Sequence, residues 1–360
     1  MVPVRASGAP REQPTPRAIL VRLPNWVGDA LMATPALRAL RRAHPGAEIS
    51  VAAGASITAL LRGLGSVDHW LSTEGRGVRA LIRHARELAA RRLDWAVLLP
   101  DSAHVALAPW LARVPLRAGY ARDPLRRLLL TRALAPPRAL APPRGEGKRL
   151  PISMIERYLR ITRALDCADA GVELDLPLDP LASERVAKRL AMAGVGEAEP
   201  FVVVTPGASF GASKLWPPEH FAAACDGLLA ARGLRSVLAP GPGEEAVAHA
   251  IAAHARSVPL VLDAPVTTLP ELAVLIARSK LLLTNDTGPR QIAVALGTPV
   301  IALLGPTDPR HTAHLLERQR VLREPVECSP CHLKVCPIDH RCMQRLAPER
   351  VLAAAAELLA

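Results

Sequence analysis

The first residues that could do chemistry in this sequence are a glycine and a carboxylate that follow an apolar segment. Residues 18–23 have the character of a buried strand, and Gly28 and Asp29 come shortly after it. Asp29 has two interpretations: an N-cap at the start of a helix, or a carboxylate at the carboxyl end of a strand that takes a proton from a substrate. The G-x-G-x-x-G fingerprint is absent, which disfavours a nicotinamide site.

Two later segments combine glycines with polar groups that suit an anion. Residues 205–217 contain two glycines, several small residues and Lys214, so backbone N–H groups and a mobile cation could hold a diphosphate, although the Walker spacing is absent. Residues 284–293 contain an Asp-Thr-Gly turn where a helix is predicted to begin, at the positive end of its dipole. Each segment alone also fits an ordinary surface loop or a capped helix. Together with the Asp29 segment, they predict three loops at the carboxyl ends of strands.

Apolar segments alternate with helical patterns around these loops, which is typical of βαβ units in parallel sheets. The predicted strands are 18–23, 48–53, 67–71, 94–99, 116–119, 201–204, 236–239, 260–262, 281–284 and 300–303. The predicted helices are 30–43, 76–92, 103–112, 152–165, 217–231, 244–254, 269–278, 288–296 and 347–359. We therefore expect an α/β protein of two doubly wound, Rossmann-like domains with the ligand in the cleft between them.

The same pattern divides the chain into segments. The predicted division is a disordered tail (1–17), an N-terminal domain (18–165) with a Pro-rich loop or linker (120–150), a second domain (166–345) and a C-terminal helix (346–360). The tail has no apolar core of an export signal, so we expect a cytoplasmic protein.

Charge is distributed unevenly along the 360 residues. The formal net charge is +12, but residues 1–165 carry 27 Lys and Arg against 11 Asp and Glu, whereas residues 166–360 carry 18 against 22. A basic total could indicate nucleic acid. Only ten residues are aromatic, which is too few to suggest a stacking platform for single strands. The asymmetry instead favours a basic half that faces a polyanion.

In their order these segments resemble glycosyltransferase family 9, the ADP-heptose:lipopolysaccharide heptosyltransferases, and within it the heptosyltransferase II type. The resemblance spans residues 18–358, and its most diagnostic parts are the 25–29 loop, the 206–217 loop and the 286–288 turn. It implies a GT-B fold whose C-terminal domain holds the donor nucleotide. It also implies an inverting, metal-independent transfer of heptose from ADP-L-glycero-D-manno-heptose to the lipopolysaccharide inner core, with no cofactor. A family 9 enzyme that uses another nucleotide sugar or acceptor is the alternative.

The resemblance also implies roles for individual residues. Asp29 would be the general base, and Lys214 would be the second catalytic residue, stabilising charge on the departing ADP. Asp286 would orient the donor heptose or cap the phosphate-binding helix. The other donor-binding residues that it implies are Gly28, Pro206, Gly207, Ala208 and Ser209, Glu244 at the ribose or the sugar, Thr287 and Gly288 through their N–H groups, and Gln291.

Position 291 departs from the family, whose members usually carry His where this chain has Gln291. Glutamine donates a hydrogen bond but carries no charge at neutral pH. The identity of the donor nucleotide and sugar is therefore left open at this point.

The basic first half is expected to bind an anionic glycolipid acceptor and to attach the protein peripherally to the cytoplasmic face of the inner membrane. The candidate acceptor contacts are Arg76, Arg79, Arg83, Arg117 and Tyr120. Each arginine also fits a solvated side chain that covers apolar surface. No nucleic-acid partner is expected.

Four cysteines crowd together after the last predicted strand, at Cys328, Cys331, Cys336 and Cys342. They could form a tetrahedral structural zinc site, two local disulfides, or a short loop packed by reduced thiols. Family 9 members share a similar segment, so we expect a structural role for it, with zinc as the less favoured hypothesis and no metal in the active site. A zinc- and nucleic-acid-binding protein is the remote alternative.

Overall fold

Two parallel six-stranded sheets form the framework of the computed structural model, which describes residues 15–137 and 151–360. The first sheet contains β1 (Ala18–Arg22), β2 (Glu48–Ala53), β3 (His69–Ser72), β4 (Trp95–Leu98), β5 (Leu116–Tyr120) and β6 (Arg132–Leu134). The second contains β7 (Phe201–Thr205), β8 (Arg235–Leu238), β9 (Leu260–Val261), β10 (Leu281–Asn285), β11 (Val300–Leu304) and β12 (Gln319–Arg323).

Both sheets have the same strand order. It is β3-β2-β1-β4-β5-β6 in the first and β9-β8-β7-β10-β11-β12 in the second, which is the doubly wound Rossmann order. The central strands β7, β10 and β11 are buried at every residue, as expected for parallel strands covered on both faces. The prediction of two Rossmann-like domains in a GT-B arrangement is confirmed.

Helices connect the strands and cover the faces of both sheets. In the first domain they are α1 (Val27–Met32), α2 (Thr34–Ala43), α3 (Ala55–Leu61), α4 (Gly77–Ala90), α5 (Ala103–Leu111), α6 (Pro124–Leu129) and α7 (Met154–Arg163). In the second they are α8 (Pro180–Met192), α9 (Pro218–Arg232), α10 (Glu245–His254), α11 (Leu269–Arg278), α12 (Gly288–Leu296), α13 (Arg341–Gln344) and α14 (Pro348–Leu358), with short 3₁₀ turns at Ala212–Lys214 and Pro309–Thr312.

The two domains meet through helices that carry the site loops. Helix α1 packs against α12, and α3 packs against α11. One apolar cluster runs from Ile19 in the first sheet to Ile292 in α12, so the interface is continuous with both cores. Helices α4, α5 and α6 pack side by side over a separate cluster on the other face of the first sheet.

The prediction of a loop or linker over residues 120–150 is wrong where α6 and β6 form. Asp123 caps α6 by accepting a hydrogen bond from the Arg126 N–H (2.8 Å), with Pro124 as first helical residue, and β6 then adds to the sheet edge. The Arg126 side chain is fully buried and donates to the carbonyls of Tyr120 (2.7 Å) and Pro100 (2.6 Å). The hydrogen bonds from the Arg126 guanidinium to these carbonyls therefore hold α6 against the end of the first sheet. Residues 138–150 of the predicted loop and 1–14 of the predicted tail lie outside the described residues.

Other elements differ from the predicted ones. The helix predicted over 30–43 is two helices, α1 and α2, which meet at Ala33. Helices α3 and α8 and strand β12 were not predicted, and the cysteines follow β12. None of the helices within residues 15–137 and 151–360 is both long and apolar enough to cross a membrane.

Candidate active site

A cleft of about 810 Å³ lies between the domains, at the carboxyl ends of the strands, and the three predicted loops meet there. On the second domain's side, the 206–217 loop follows β7 and the 286–288 turn follows β10, the two neighbouring strands at which the order of the sheet reverses. This is the usual ligand position in doubly wound sheets. The predicted site residues that line the cleft are Gly28, Asp29, Gly207, Ser209, Lys214, Glu244, Asp286, Thr287, Gly288 and Gln291.

Pro206 and Ala208 do not line the cleft, although the sequence predicted both as donor contacts. The Pro206 carbonyl accepts a hydrogen bond from the Asn285 amide (2.5 Å), and the Ala208 carbonyl accepts one from the Gly211 N–H (3.1 Å). These two residues therefore shape the loop through their backbone.

Asp29 is not the N-cap of its helix. That position is Trp26, and Asp29 lies in the first turn of α1, where the helix dipole favours a carboxylate. In the described part of the chain, no hydrogen bond or salt bridge uses its carboxylate. Burial raises the pKa of Asp29 to about 6, against the opposing charges of Lys214 and Arg157. A carboxylate without a partner, tuned towards neutral pH and facing a cleft, is suited to take a proton.

Two glycines allow the helices from the two domains to approach closely beside Asp29. A Cβ at Gly28 would lie 3.3 Å from Gln291 Cγ, and a Cβ at Gly288 would lie 3.0 Å from Val27 Cβ. Thr287, the N-cap of α12, and Gly288, its first residue, line the same cleft, and N–H groups at a helix start lack partners within the helix. The geometry thus combines a proton acceptor with backbone groups that suit an anion.

Lys214 lies opposite Asp29, in a buried network centred on Asp286. Its Nζ donates to the Asp286 carboxylate (2.9 Å) and carbonyl (2.6 Å), and lies 5.2 Å from the centre of the Phe210 ring. Thr307 Oγ1 also donates to that carboxylate (2.7 Å). Burial alone would raise the pKa of Asp286, but Lys214 and Arg290 hold it below its usual range. Asp286 is therefore an anion that positions Lys214, and the N-cap of α12 is Thr287.

Arg290 completes this network, and the sequence did not single it out for a role. Its side chain is fully buried and donates to Gln319 (3.0 Å), Thr312 (2.8 Å) and Asp286 (3.3 Å). The i, i+4 spacing from Asp286 on the predicted helix could have revealed the pair.

Glu244 and Gly207 are in contact at another wall of the cleft. Glu244 Oε2 accepts a hydrogen bond from the Gly241 N–H (2.9 Å), and a Cβ at Gly207 would lie only 1.7 Å from the Glu244 carboxyl carbon. Only glycine fits at position 207 with this carboxylate in place. Beyond them the wall is largely apolar, formed by Ala239, Pro240, Leu269, Pro270 and Leu272.

Gln291 is held by a residue that the sequence did not single out. Its Oε1 lies 2.9 Å from His314 Nε2, and burial together with the charge of Arg290 lowers the pKa of His314 to about 4. The imidazole is therefore neutral at physiological pH, and the pair adds no charge to the cleft.

Comparison with known proteins decides the family. The family described as "Glycosyltransferase family 9 (heptosyltransferase)" matches residues 81–341. The chain belongs to glycosyltransferase family 9. It is 31% identical to lipopolysaccharide heptosyltransferase 2 of Salmonella typhimurium over 85% of this chain and 87% of that protein. It is 30% identical to the Escherichia coli protein of the same name, again over 85% and 87% of the two chains. As a member of this family, it is a glycosyltransferase.

Solved structures agree with this family 9 assignment. The structure of E. coli ADP-heptose lps heptosyltransferase II superposes with a TM-score of 0.76 at 28% identity, over 95% of this chain and 98% of that one. A family 9 glycosyltransferase from Veillonella parvula has a TM-score of 0.80 at 21% identity, over 95% and 97% of the chains, which supports the fold. The remote alternative of a zinc- and nucleic-acid-binding protein is not favoured.

A second cavity of about 500 Å³ lies in the first domain of this family 9 enzyme, beside the cleft, and Ala55 lines both. It opens at the carboxyl ends of β1 to β3, with Arg22, Asn25, Arg76 and His84 among its polar lining. The Arg22 guanidinium donates to Asn25 Oδ1 (2.7 Å). Burial lowers the pKa of Arg22 to about 10, which leaves it cationic at neutral pH. Arg22 lies within the predicted strand 18–23, so nothing in the sequence indicates that it belongs to a binding site.

The structure separates the predicted acceptor residues. Arg76 lines the second cavity, whereas Arg79 and Arg83 are exposed on α4 outside it. Tyr120 is 1% exposed and donates its hydroxyl to the Arg157 carbonyl (2.7 Å). Arg117 donates to the Leu129 carbonyl (2.7 Å) and lines neither cavity. Tyr120 and Arg117 are packing residues, and neither is placed to contact an acceptor in either cavity.

The cysteine segment (residues 328–342) packs beside the donor loops. Cys328 and Cys331 are exposed, Cys336 is half-buried and Cys342 is buried, and all four are free thiols. Within residues 15–137 and 151–360, no group of three or more His, Cys, Asp or Glu side chains is placed to hold a metal ion. Of these reduced thiols only Cys342 packs in the core, so the loop is not packed by all four as a group, and the zinc interpretation stays a prediction.

Proposed function

We propose that this enzyme transfers L-glycero-D-manno-heptose from its ADP-linked donor to a lipopolysaccharide inner-core acceptor. The observation that carries the proposal is the pairing, across one cleft, of an unpartnered carboxylate with a buried cation. Asp29 is free to accept a proton, and Lys214 is held where it can meet an anionic leaving group. The relatives named as heptosyltransferases supply the substrate class.

The donor is expected to lie along the second domain. Its diphosphate fits between Lys214 and the Thr287 and Gly288 N–H groups, where a cation and a helix N-terminus converge. The adenine fits the apolar wall near Leu269 and Leu272, and the ribose hydroxyls fit beside Glu244. The heptose then lies towards Asp29.

In the reaction, Asp29 takes the proton from the acceptor hydroxyl as that oxygen forms its bond to the anomeric carbon. The bond from this carbon to the phosphate oxygen breaks, and ADP leaves with the electron pair. Attack opposite to the leaving group inverts the anomeric configuration. Lys214 and the α12 N–H groups stabilise the charge that grows on ADP, and they are in place before the reaction. These groups provide the stabilisation without a cofactor.

The acceptor is expected to enter through the second cavity. Arg22, Asn25 and Arg76 line it alongside Glu74 and Glu87, and we expect the two guanidinium groups to hold carboxylate or phosphate groups of the acceptor with its hydroxyl near Asp29. The sharing of Ala55 by the two cavities supports a continuous path.

The outer face of α4, α5 and α6 supports a peripheral contact with anionic lipid at the cytoplasmic face of the inner membrane. It exposes apolar residues among arginines, namely Val78, Ile82, Trp110, Leu125 and Leu128 with Arg79, Arg83, Arg86 and Arg127. Such a mixture suits a headgroup region. Leu128→Ser should reduce sedimentation with vesicles that contain phosphatidylglycerol, whereas Leu181→Ser, on α8 of the other domain, should not. If both variants sediment with the vesicles as much as the unaltered protein does, this face does not contact the membrane.

Thermal-shift measurements with ADP, UDP, GDP and CDP test the donor. Selective stabilisation by ADP is expected, because a ligand that binds only the folded state raises its unfolding temperature. Lys214→Ala should lose most of that stabilisation. Stabilisation by another nucleotide instead would favour a family 9 enzyme with a different donor, for which the neutral Gln291–His314 pair is the relevant difference.

A further inference from the structure

The cysteine segment makes direct hydrogen bonds to the residue that precedes Lys214. Ser213 is 3% exposed, and each of its polar atoms is bonded to this segment. Its N–H donates to the Lys334 carbonyl (3.0 Å), its hydroxyl donates to the Leu333 carbonyl (2.5 Å), and its carbonyl accepts from His340 Nε2 (2.7 Å). The cysteine segment thus fixes the backbone from which the catalytic lysine projects.

The contact between the cysteine segment and the 206–217 loop is so close that position 211 must be glycine. Gly211 has a φ of 152°, and a Cβ there would lie 2.4 Å from the Lys334 carbonyl oxygen. A side chain at this position would overlap the cysteine segment, and its positive φ also favours glycine.

The same segment also holds the other loop that reaches Asp286. Ser329 Oγ donates to the Gly305 carbonyl (2.6 Å), and the His332 N–H donates to the Pro306 carbonyl (2.9 Å). The next residue, Thr307, donates to the Asp286 carboxylate that holds Lys214. The cysteine segment therefore supports both loops that contact the Asp286 carboxylate, the one that carries Lys214 and the one that carries Thr307.

We propose that the cysteine segment is a positioning element for Lys214, and that His340 is its principal positioning residue. This deepens the proposed function, because the position being fixed is the one that meets the donor diphosphate. The 206–217 loop is long and has only a single 3₁₀ turn, so without a brace the lysine would lose orientation. His340 itself has a left-handed backbone, with φ 55°, which persists only when its surroundings fix it.

Calorimetric titration with ADP and with AMP tests this positioning role. AMP lacks the phosphate that would meet Lys214. His340→Ala should weaken ADP binding about tenfold, the size of one lost hydrogen bond to a fixed group, and leave AMP binding unchanged. His340→Gln keeps an N–H donor and should recover most of the affinity. Ile338→Ala, at an exposed site in the same segment, is the matched control and should behave like the unaltered protein.

A double variant separates positioning from general stability. If His340 acts through Lys214, His340→Ala should weaken ADP binding no further in a Lys214→Ala background. Additive losses, or equal losses for ADP and AMP, would overturn the proposal. Should His340→Ala fail to fold, Ser213→Ala removes only the hydroxyl contact and should give a smaller loss in the same direction.

Hydrogen exchange distinguishes failure of this inference from failure of the proposed function. In His340→Ala, peptides covering residues 206–217 should exchange faster, with no change in the first domain. If the unaltered protein binds no ADP but this exchange increases, the donor assignment fails and the positioning role stands. Unchanged exchange in residues 206–217 overturns the positioning role, whatever the nucleotide result.

Discussion

Replacing Asp29 by Asn should remove turnover and at the same time stabilise the protein. The side chains have nearly the same shape, so the change removes the negative charge and the ability to accept a proton. Loss of a general base lowers rates by roughly 10²–10⁴-fold. ADP binding should persist, because Asp29 lies across the cleft from the donor groups.

The gain in stability follows from the raised pKa of Asp29. Burial moves it from 3.8 to about 6 in the folded protein, so folding disfavours the ionised carboxylate. The folded state loses stability as pH rises through this range, since the unfolded chain gives up its proton first. At about 1.4 kcal/mol per pH unit, the cost approaches ~3 kcal/mol at pH 8 but only about 1 kcal/mol at pH 4.5. Asn carries no such cost.

Unfolding by urea at these two pH values measures the effect. Asp29→Asn should exceed the unaltered protein in unfolding free energy by more at pH 8 than at pH 4.5. Glu184→Gln removes an exposed carboxylate on α8 and should show no such difference. For the unaltered enzyme, kcat/KM should rise with pH and level off above about 6, because the base must be ionised. Normal turnover in Asp29→Asn would refute the assignment, and a loss of stability at pH 8 would refute the electrostatic reasoning.

Substitutions at three positions test the donor side of the cleft. Lys214→Ala should lower kcat by about 10²–10³-fold, as removal of a preorganised group at a developing anion does, and Lys214→Arg should retain part of the rate in steady-state assays. Gly207→Ala should weaken ADP stabilisation in thermal-shift assays, since its Cβ would displace the Glu244 carboxyl group, whereas Gly46→Ala, with open space around it, should not; equal behaviour of the two would contradict this packing. Arg290→Met should cost roughly 3–5 kcal/mol in urea unfolding, because it leaves a buried ion pair broken, and a loss under 1 kcal/mol would contradict the buried network.

The fold and the centre of the site could be predicted from sequence for one physical reason. Parallel strands bring their carboxyl ends to one edge, so loops that follow apolar strands must meet there. That reasoning predicts Asp29, Lys214 and Asp286 in one cleft, and all three line it. It also names Gly28 and Gly288, but as donor contacts, and the close approach of α1 and α12 at these glycines comes only from the structure.

The errors came from interactions that only tertiary structure creates. Tyr120 and Arg117 carry polar groups that suit an acceptor, but the fold buries one and commits the other to backbone carbonyls. Helix α6 was missed because prolines obscured the Asp123 cap, and its stability depends on the buried Arg126. Arg22 was not predicted as a site residue because it is the last residue of a strand. The cavity that its side chain lines is formed only when the chain folds.

A transfer assay tests the central claim most directly. The purified enzyme would be incubated with ADP-L-glycero-D-manno-heptose and a lipid A–Kdo acceptor that carries one heptose. Mass spectrometry would then measure the mass of the glycolipid product. The account predicts a gain of one further heptose unit with release of ADP, and no gain with Asp29→Asn. An unchanged acceptor mass with an active, folded enzyme and ADP-heptose present, but a gain when another nucleotide sugar is supplied, would contradict it.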